Sequence, residues 1–349
     1  MKNYFRKLVI FVCCLSIFLI GCGSSNGNDV KQGADSNNDA GSSNDAGNSN
    51  TGDVITLNIA YQYGLAYAPL IIMQEQKLIE KAYEEKTGKQ VTVVWNQMSS
   101  GPDINTGISS GNIDVGFMGV APAVTGVTKG VGYKIFTNLS GQEHGLMTND
   151  DSIKEISDIV GSDKQIALVN IGSIQHIILA KALHGLGYDA HVLDSNIVAM
   201  SHPDGMTALE TGNVPCHLTS NPYIYKEREE ENLHELTELS ATWSKENSFI
   251  VGVASESLYD ENQELYLALC DAVKEAIAFI NNNMEEAAKI TCEYNGNSEE
   301  DELKYLQVGK YTTETKGIFE LATFMKEADF IEEAPADYSG LVFDNVTGD

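Results

Sequence analysis

From Val54 onward, short runs rich in β-branched and aromatic residues alternate with longer runs of helical periodicity. This alternation restricts the possible folds more than any other feature of the chain. Thr56 to Tyr61 (TLNIAY) reads as a strand and Ala68 to Thr87 as a helix ended by Gly88. Val91 to Gln97 (VTVVWNQ) is the next strand, followed by a helix over 102–110, a strand over 113–118, a helix over 122–129 and a strand over 133–138. A second set starts near Ile153, with strands over 165–170, 196–200 and 214–219 and helices over 173–185, 204–211 and 223–232. From Phe249 a strand (FIVGVAS) leads into four helices, over 262–282, 284–294, 299–308 and 315–328. Strands and helices alternating at this spacing give βαβ units, and hence an α/β fold of mainly parallel sheets flanked by helices. The 296 residues from Val54 to Asp349 suffice for two modest domains or one large one.

The first 53 residues are of a different kind. Lys2, Arg6 and Lys7 precede the apolar run Leu8 to Ile20, the pattern of an export signal over residues 1–21. The run is short of the roughly 20 apolar residues that a membrane-spanning helix needs. Its ending, Leu19-Ile20-Gly21-Cys22, resembles the lipobox of bacterial lipoproteins. That resemblance implies cleavage before Cys22 and diacylation of its side chain, and two acyl chains make a stable membrane anchor. The expected location is the outer face of the cell membrane. Of residues 23–53, 24 of 31 are Gly, Ser, Asn or Asp, a composition that cannot bury enough apolar surface to order itself. Such a segment is expected to be a flexible leash, holding the folded body on the order of 30 Å from the membrane.

Loss of the signal removes three positive charges and takes the formal net charge from -28 to -31. That acidity argues against nucleic acid, whose recognition needs a basic surface, and against adsorption to an anionic bilayer. Beyond the anchor only Cys216, Cys270 and Cys292 remain, with no CxxC and at most one possible bridge; they read as small buried apolar residues. His176 and His184 are two helical turns apart, and Cys216 and His217 point to opposite faces of a strand, so neither pair makes a metal site. HExxH and a phosphate-binding glycine loop are both absent, and neither cofactor nor catalysis is expected. Asp103, Asp114 and Glu143 lack the spacing of an acid–base pair.

Four segments carry a resemblance to a known family. They are IAYQYGLAYAPLIIMQEQKLIEK, SSGPDINTGISSGNIDVGFMGVAPAVTG, VNIGSIQHIILAKALHGLGYD and HPDGMTALETGNVPCHLTSNPYIY, in that order. Together they resemble the extracytoplasmic substrate-binding proteins of ABC importers, in the branch for nitrate, sulfonates, taurine and thiamine-precursor pyrimidines. The resemblance covers about 55–331. It implies a two-lobed periplasmic-binding-protein-like fold, with lobe 1 at 54–146 plus 248–349 and lobe 2 at 147–247. Hinges are then expected at Gly145–Asn149 and Lys245–Val251. It further implies a monomer that delivers a small molecule to a membrane permease driven by a cytoplasmic ATPase. A sensory lipoprotein using the same cleft is an alternative. So is an enzyme like the fungal thiamine-pyrimidine synthases, which share the fold but carry a Cys-rich motif absent from this chain.

In open α/β sheets, ligands bind beyond the carboxyl ends of strands, where helix N-termini point. That rule selects Tyr61, Gln62, Tyr63 and Tyr67 after the first strand, Ser99, Ser100 and Gly101 after the second, and Gly119 and Val120 after the third. In the second lobe it selects Gly172, Ser173, Gln175, Asn221 and Tyr223. After the signal the only arginine is Arg228, inside the acidic run Lys226–Glu231, and no loop just named contains Lys or Arg. Arg commonly clamps sulfonates and carboxylates. Without it an oxyanion would depend on helix N-termini, on Ser99, Ser100 and Ser173, and on His144 or His176. Tyr, Gln and Asn side chains suit a neutral planar heterocycle better, stacked on rings and read by amides. Trp95 fits either that site or the core.

Overall fold

The computed structural model describes residues 54–349. The export signal, Cys22 and the leash therefore lie outside the described residues. In chain order the first part comprises β1 (Ile55–Tyr61), α1 (Ala68–Gln76), α2 (Leu78–Thr87), β2 (Val91–Gln97), α3 (Gly101–Ser109), β3 (Val115–Gly119), α4 (Val120–Thr128) and β4 (Tyr133–Gly141). Next come β5 (His144–Thr148), β6 (Ile166–Leu168), α5 (Ile174–Gly185), β7 (Ile197–Ala199), α6 (His202–Glu210), β8 (Cys216–Ser220), α7 (Tyr223–Arg228), β9 (His234–Leu236) and α8 (Glu238–Thr242). The chain finishes with β10 (Ile250–Ser255), α9 (Glu256–Glu261), α10 (Gln263–Asn282), α11 (Met284–Asn295), α12 (Glu299–Val308), β11 (Lys310–Tyr311) and α13 (Ile318–Glu327).

These strands form two sheets, ordered β11-β4-β10-β3-β1-β2 and β7-β6-β8-β5-β9. The βαβ runs are parallel as the alternation predicts: β1 with β2 and β3, and β6 with β7 and β8. The sheets as wholes are mixed, because β10 runs antiparallel to both β3 and β4, and β5 antiparallel to both β8 and β9. β5 and β10 are the strands that enter each sheet directly after the chain crosses from the other, so no crossover helix sets their direction. The first crossing is Gln142–Glu143. Of the hinge expected at Gly145–Asn149, Gly145–Thr148 belongs to β5, which pairs with β8 throughout and with β9 from Leu146 onward. The second crossing, from Trp243 to Phe249, overlaps the expected one.

Sequence periodicity explains most of the helices. α10 is the longest, and its buried residues, Leu265, Leu269, Val273, Ala276, Ile277 and Ile280 among them, recur at helical spacing on one face. Burying each such Leu, Val or Ile contributes about 1.5–3 kcal/mol. The single helix expected over 68–87 is instead broken at Lys77, which takes a left-handed conformation (φ 52°). The two halves have different burial patterns: α1 buries six consecutive residues, Ala68–Met73, whereas α2 buries only Leu78, Ile79 and Tyr83. A straight helix would keep one face toward the core throughout, and the turn re-aims the second half. No described helix is long and apolar enough to cross a membrane. Cys216 and Cys270 are buried and unbridged, and Cys292 is partly exposed and unbridged.

The two crossings run side by side. A Cβ on Gly141 would stand 1.9 Å from the Lys245 carbonyl oxygen, a backbone atom that cannot turn aside. Gly141→Ala is expected to force the segments apart and destabilise the protein by about 2 kcal/mol, in the range of overpacking substitutions. Chemical denaturation measures this, and an unchanged midpoint would contradict the close approach.

Candidate functional site

Four helices start on the edges where the two sheets face each other. α3 follows β2 and is capped by Ser100, whose Oγ accepts from Asp103 N at 3.3 Å and donates to Asp103 Oδ2 at 2.6 Å. α4 starts directly after Gly119. α5 follows β6 and is capped by Ser173, whose Oγ accepts from His176 N at 3.3 Å. α6 follows β7 and Ser201, with His202 as its first residue. The first N–H groups of a helix have no partner within it and carry its positive partial charge. Here the helix starts converge from both sheets on one narrow pocket, walled by Gln62, Tyr63, Tyr67, Ser99, Gly101, Gly119, Ser173, Gln175, His202, Ser220, Phe249 and Ile250, with Ala66, Pro122, Val169 and Ile174 completing it.

Within the pocket, Tyr67 donates to Gln62 Oε1 at 3.0 Å, and Gln62 Nε2 donates to Ser99 O at 3.3 Å. This ties the loop after β1 to the loop after β2. Burial pushes the Tyr67 hydroxyl far above its ordinary range, so it stays a neutral donor. Tyr63 is 40% exposed, which leaves its ring free at the mouth. No Lys, Arg, Asp or Glu is in the wall. Asn170 Nδ2 donates to Ser100 Oγ at 3.3 Å, a direct hydrogen bond from a loop of the second sheet to a cap of the first.

Of the residues selected from the sequence, Gln62, Tyr63, Tyr67, Ser99, Gly101, Gly119, Ser173 and Gln175 line this pocket, and the other six are not part of its wall. Tyr61 packs on Tyr67 and edge-on against Trp95, which places Trp95 with the packing around β1 and not in the wall. Ser100 is taken up by its cap, and Val120 N by Phe249 O. Gly172 N donates to His176 Nδ1, and Asn221 Nδ2 donates to Gln142 Oε1 and Tyr305 O. Tyr223 stacks on the His202 ring with centroids 5.5 Å apart, one layer back. His144 and His176 also lie outside the wall: His144 is buried in a stack on Phe249, and His176 turns to Asp194. Sequence reasoning missed His202, Phe249 and Ile250, whereas Ser220 opens the loop over 220–223 that the strand-end rule places at the site. His202 had a usable signal, since Ser201-His202-Pro203 is a cap followed by Pro in the first turn, which starts the helix two residues earlier than expected.

C-terminal elements grip the second sheet's helices on two flanks. On one, Tyr305 of α12 stacks on Tyr225 of α7. On the other, His191 meets the end of α13: Nε2 donates to Ala328 O at 2.7 Å while Nδ1 faces Asp194 Oδ2 at 2.9 Å, and Phe330 packs on the ring. Both His191 nitrogens face acceptors, and only the imidazolium can donate twice. Burial alone would lower its pKa, but the Asp194 carboxylate and the Ala328 carbonyl outweigh that and raise it. His176 shares Asp194 yet accepts from Gly172 N, which suits a neutral ring, and burial lowers its pKa.

A family model described as NMT1-like matches residues 51–294. The chain belongs to the NMT1-like family. No curated protein sequence matches it. Among solved structures, the NMT1-like chain is similar to the alkanesulfonate-binding protein SsuA from Xanthomonas axonopodis pv. citri bound to MOPS, at 14% identity and TM-score 0.66, covering 84% of this chain and 98% of that one. It is similar to the nitrate-binding protein NrtA from Synechocystis PCC 6803 at 15% identity and TM-score 0.62, covering 82% and 84%. A Candida albicans gene product described as having the generic periplasmic binding protein fold matches at 15% identity and TM-score 0.66, covering 84% and 98%. The fold of this NMT1-like protein is therefore the periplasmic-binding-protein fold, with its pocket between the two sheets.

The His191 contact has a pH dependence of definite sign. A raised pKa means that the contact's stabilisation is fully present below the unfolded value of about 6.5 and is lost as pH rises through the folded value. An NMR titration of the His191 ring should give a midpoint above 6.5, falling toward it in Asp194→Asn. A wild-type midpoint below 6.5 would refute the two-acceptor geometry.

Proposed function

We propose that this protein is the extracytoplasmic solute-binding component of an ABC importer. It is tethered through Cys22 and binds one small molecule between two lobes before delivering it to a permease and its ATPase. The supporting observation is the convergence of helix N-termini from both sheets on one narrow pocket with no charged side chain. The lobes in this reading follow the sheets: 54–141 with 250–349, and 144–242, joined by the two crossings. A solute that touches Ser99 and Gly119 on one side and Ser173 and His202 on the other makes all its contacts only when the lobes are together. It therefore shifts the population toward closure by its differential affinity. Binding and release of this kind need no covalent step.

The solute is planar and rich in acceptors, a pyrimidine-like or related heterocycle. Its acceptor edge sits against the helix N-termini and the Gln62 and Gln175 amides, and its face lies near the rings of Tyr63 and Phe249. A small oxyanion such as a sulfonate or nitrate is the second reading. It is favoured by the same four helix N-termini, which together form an anion-binding environment without a cationic side chain, and the solutes named for the alkanesulfonate- and nitrate-binding neighbours agree with it.

Thermal denaturation in the presence of pyrimidines, sulfonates, nitrate and carboxylates tests the reading. A true ligand at about 100 times its Kd adds about 2.7 kcal/mol and visibly raises the melting temperature. Failure of every solute in the panel to do so would contradict it. Closure has its own test at Gly119, where a Cβ would lie 2.7 Å from Ile174 Cγ2 of the opposing sheet's helix. Gly119→Ala should weaken the binding of any solute that raises the melting temperature by about tenfold or more, in line with an overpacking cost of 1–3 kcal/mol confined to the closed state. Unchanged affinity would mean that closure does not bring these residues together.

A further inference from the structure

Behind the pocket, three buried titratable side chains stand in line. His202 Nε2 faces the pocket, 3.0 Å from Gln175 Nε2 and 3.3 Å from Ser220 Oγ. His202 Nδ1 is 3.5 Å from His217 Nε2, and His217 Nδ1 is 2.6 Å from Glu227 Oε1. Both His217 and Glu227 are fully buried, and His202 is 6% exposed. The row is held rigidly: Tyr223 stacks on His202, and Gly205 of α6 approaches so closely that a Cβ there would sit 2.5 Å from His217 Nε2. A neutral imidazole donates from one nitrogen and accepts at the other. The hydrogen bonds of such a row must therefore all point the same way.

Two arrangements satisfy that rule. In one, Glu227 is a carboxylate accepting from His217 Nδ1–H, His217 Nε2 accepts from His202 Nδ1–H, and His202 Nε2 is an acceptor at the pocket. In the other, Glu227 is a neutral acid donating to His217 Nδ1, His217 Nε2–H donates to His202 Nδ1, and His202 Nε2–H points into the pocket. The Gln175 amide then turns its oxygen toward His202. One proton converts the first into the second. It binds at His202 Nε2, the His202 Nδ1 proton passes to His217 Nε2, and the His217 Nδ1 proton passes to Glu227 Oε1. The row gains one proton and its charge goes from negative to neutral.

The surroundings favour the neutral form. Glu227 Oε2 has no hydrogen-bond partner. The residues beside His217 on β5 and β6 are Met147 and Ala167, both apolar. The charged group acting on Glu227 from α6 is Glu210, which repels a second carboxylate. Burial, with Glu210, raises the Glu227 pKa far above the usual carboxylate range. Burial also holds both imidazoles below theirs, and at His202 the neighbouring His217 adds to the effect, so neither ring becomes an imidazolium.

We infer that Glu227, His217 and His202 form a proton wire that sets whether the pocket donates or accepts at His202, and that it couples capture of an acceptor-bearing or anionic solute to the protonation of Glu227. This rests on the pocket being the solute site. His202 is the residue that touches the solute; His217 and Glu227 act through it as positioning residues. The wire adds a specificity rule: a solute presenting an acceptor to His202 is bound while Glu227 is neutral and is disfavoured once it ionises.

Ring nitrogen NMR of the ligand-free protein, recorded from about pH 6 to about pH 10, reads the tautomers directly. His202 and His217 should both pass from Nε2–H to Nδ1–H with one shared midpoint well above that of an ordinary carboxylate, and the transition should vanish in Glu227→Gln. Tautomers that stay fixed, or that change at separate midpoints, would overturn the wire while leaving the solute site standing. Calorimetry with methanesulfonate and with nitrate, in two buffers of different ionisation enthalpy, supplies the functional arm. For whichever anion binds, affinity should fall by about tenfold per pH unit above the shared midpoint, with up to one proton taken up per solute bound. Affinity that ignores pH across that midpoint would overturn the coupling. The tautomers decide the wire whether or not either anion binds.

Discussion

A helix that starts directly after a strand leaves its first N–H groups without partners, and the arrangement of this protein follows from where those groups are put. Each sheet contributes two such starts at the carboxyl ends of its parallel strands, α3 and α4 from one and α5 and α6 from the other. Were the sheets joined into one, these ends would share a single edge. Because the chain crosses between sheets only at Gln142–Glu143 and at Trp243–Phe249, the two edges face each other across a gap. The pocket is that gap, and its donors belong to the backbone.

The side chains complement this. The described chain is strongly acidic, yet its pocket wall holds neither acid nor base. Its one arginine is used elsewhere: Arg228 reaches Glu143 at 3.1 Å and Glu235 at 2.8 and 2.9 Å. Glu143 belongs to the first crossing and Glu235 to β9, so the guanidinium ties the crossing to the edge strand of the second sheet. A pocket without fixed charge is governed by dipoles and by proton positions. Reversal of one buried row of hydrogen bonds can then change what it prefers.

Much of this was legible in the sequence because it is written locally. The βα alternation and the loops at the carboxyl ends of the parallel strands follow from propensity and spacing, and they located eight residues of the pocket wall. What escaped notice depends on tertiary packing. β5 is five residues with a glycine in it, too short to distinguish from a hinge until its two neighbours pair with it. The antiparallel direction of β10 is decided by its route back from the other sheet. Phe249 and Ile250 line the pocket because the second crossing ends there and enters β10. His217 sits beside a cysteine in sequence, a pairing that makes no metal site, and its partners are 10 and 15 residues away.

A crystal structure with the solute that most stabilises the protein would test the central claim most directly. The account predicts electron density between the two sheets, with the solute's acceptors within hydrogen-bond distance of backbone N–H groups at the starts of helices from both sheets. A solute seated elsewhere, or held by one sheet alone, would contradict it.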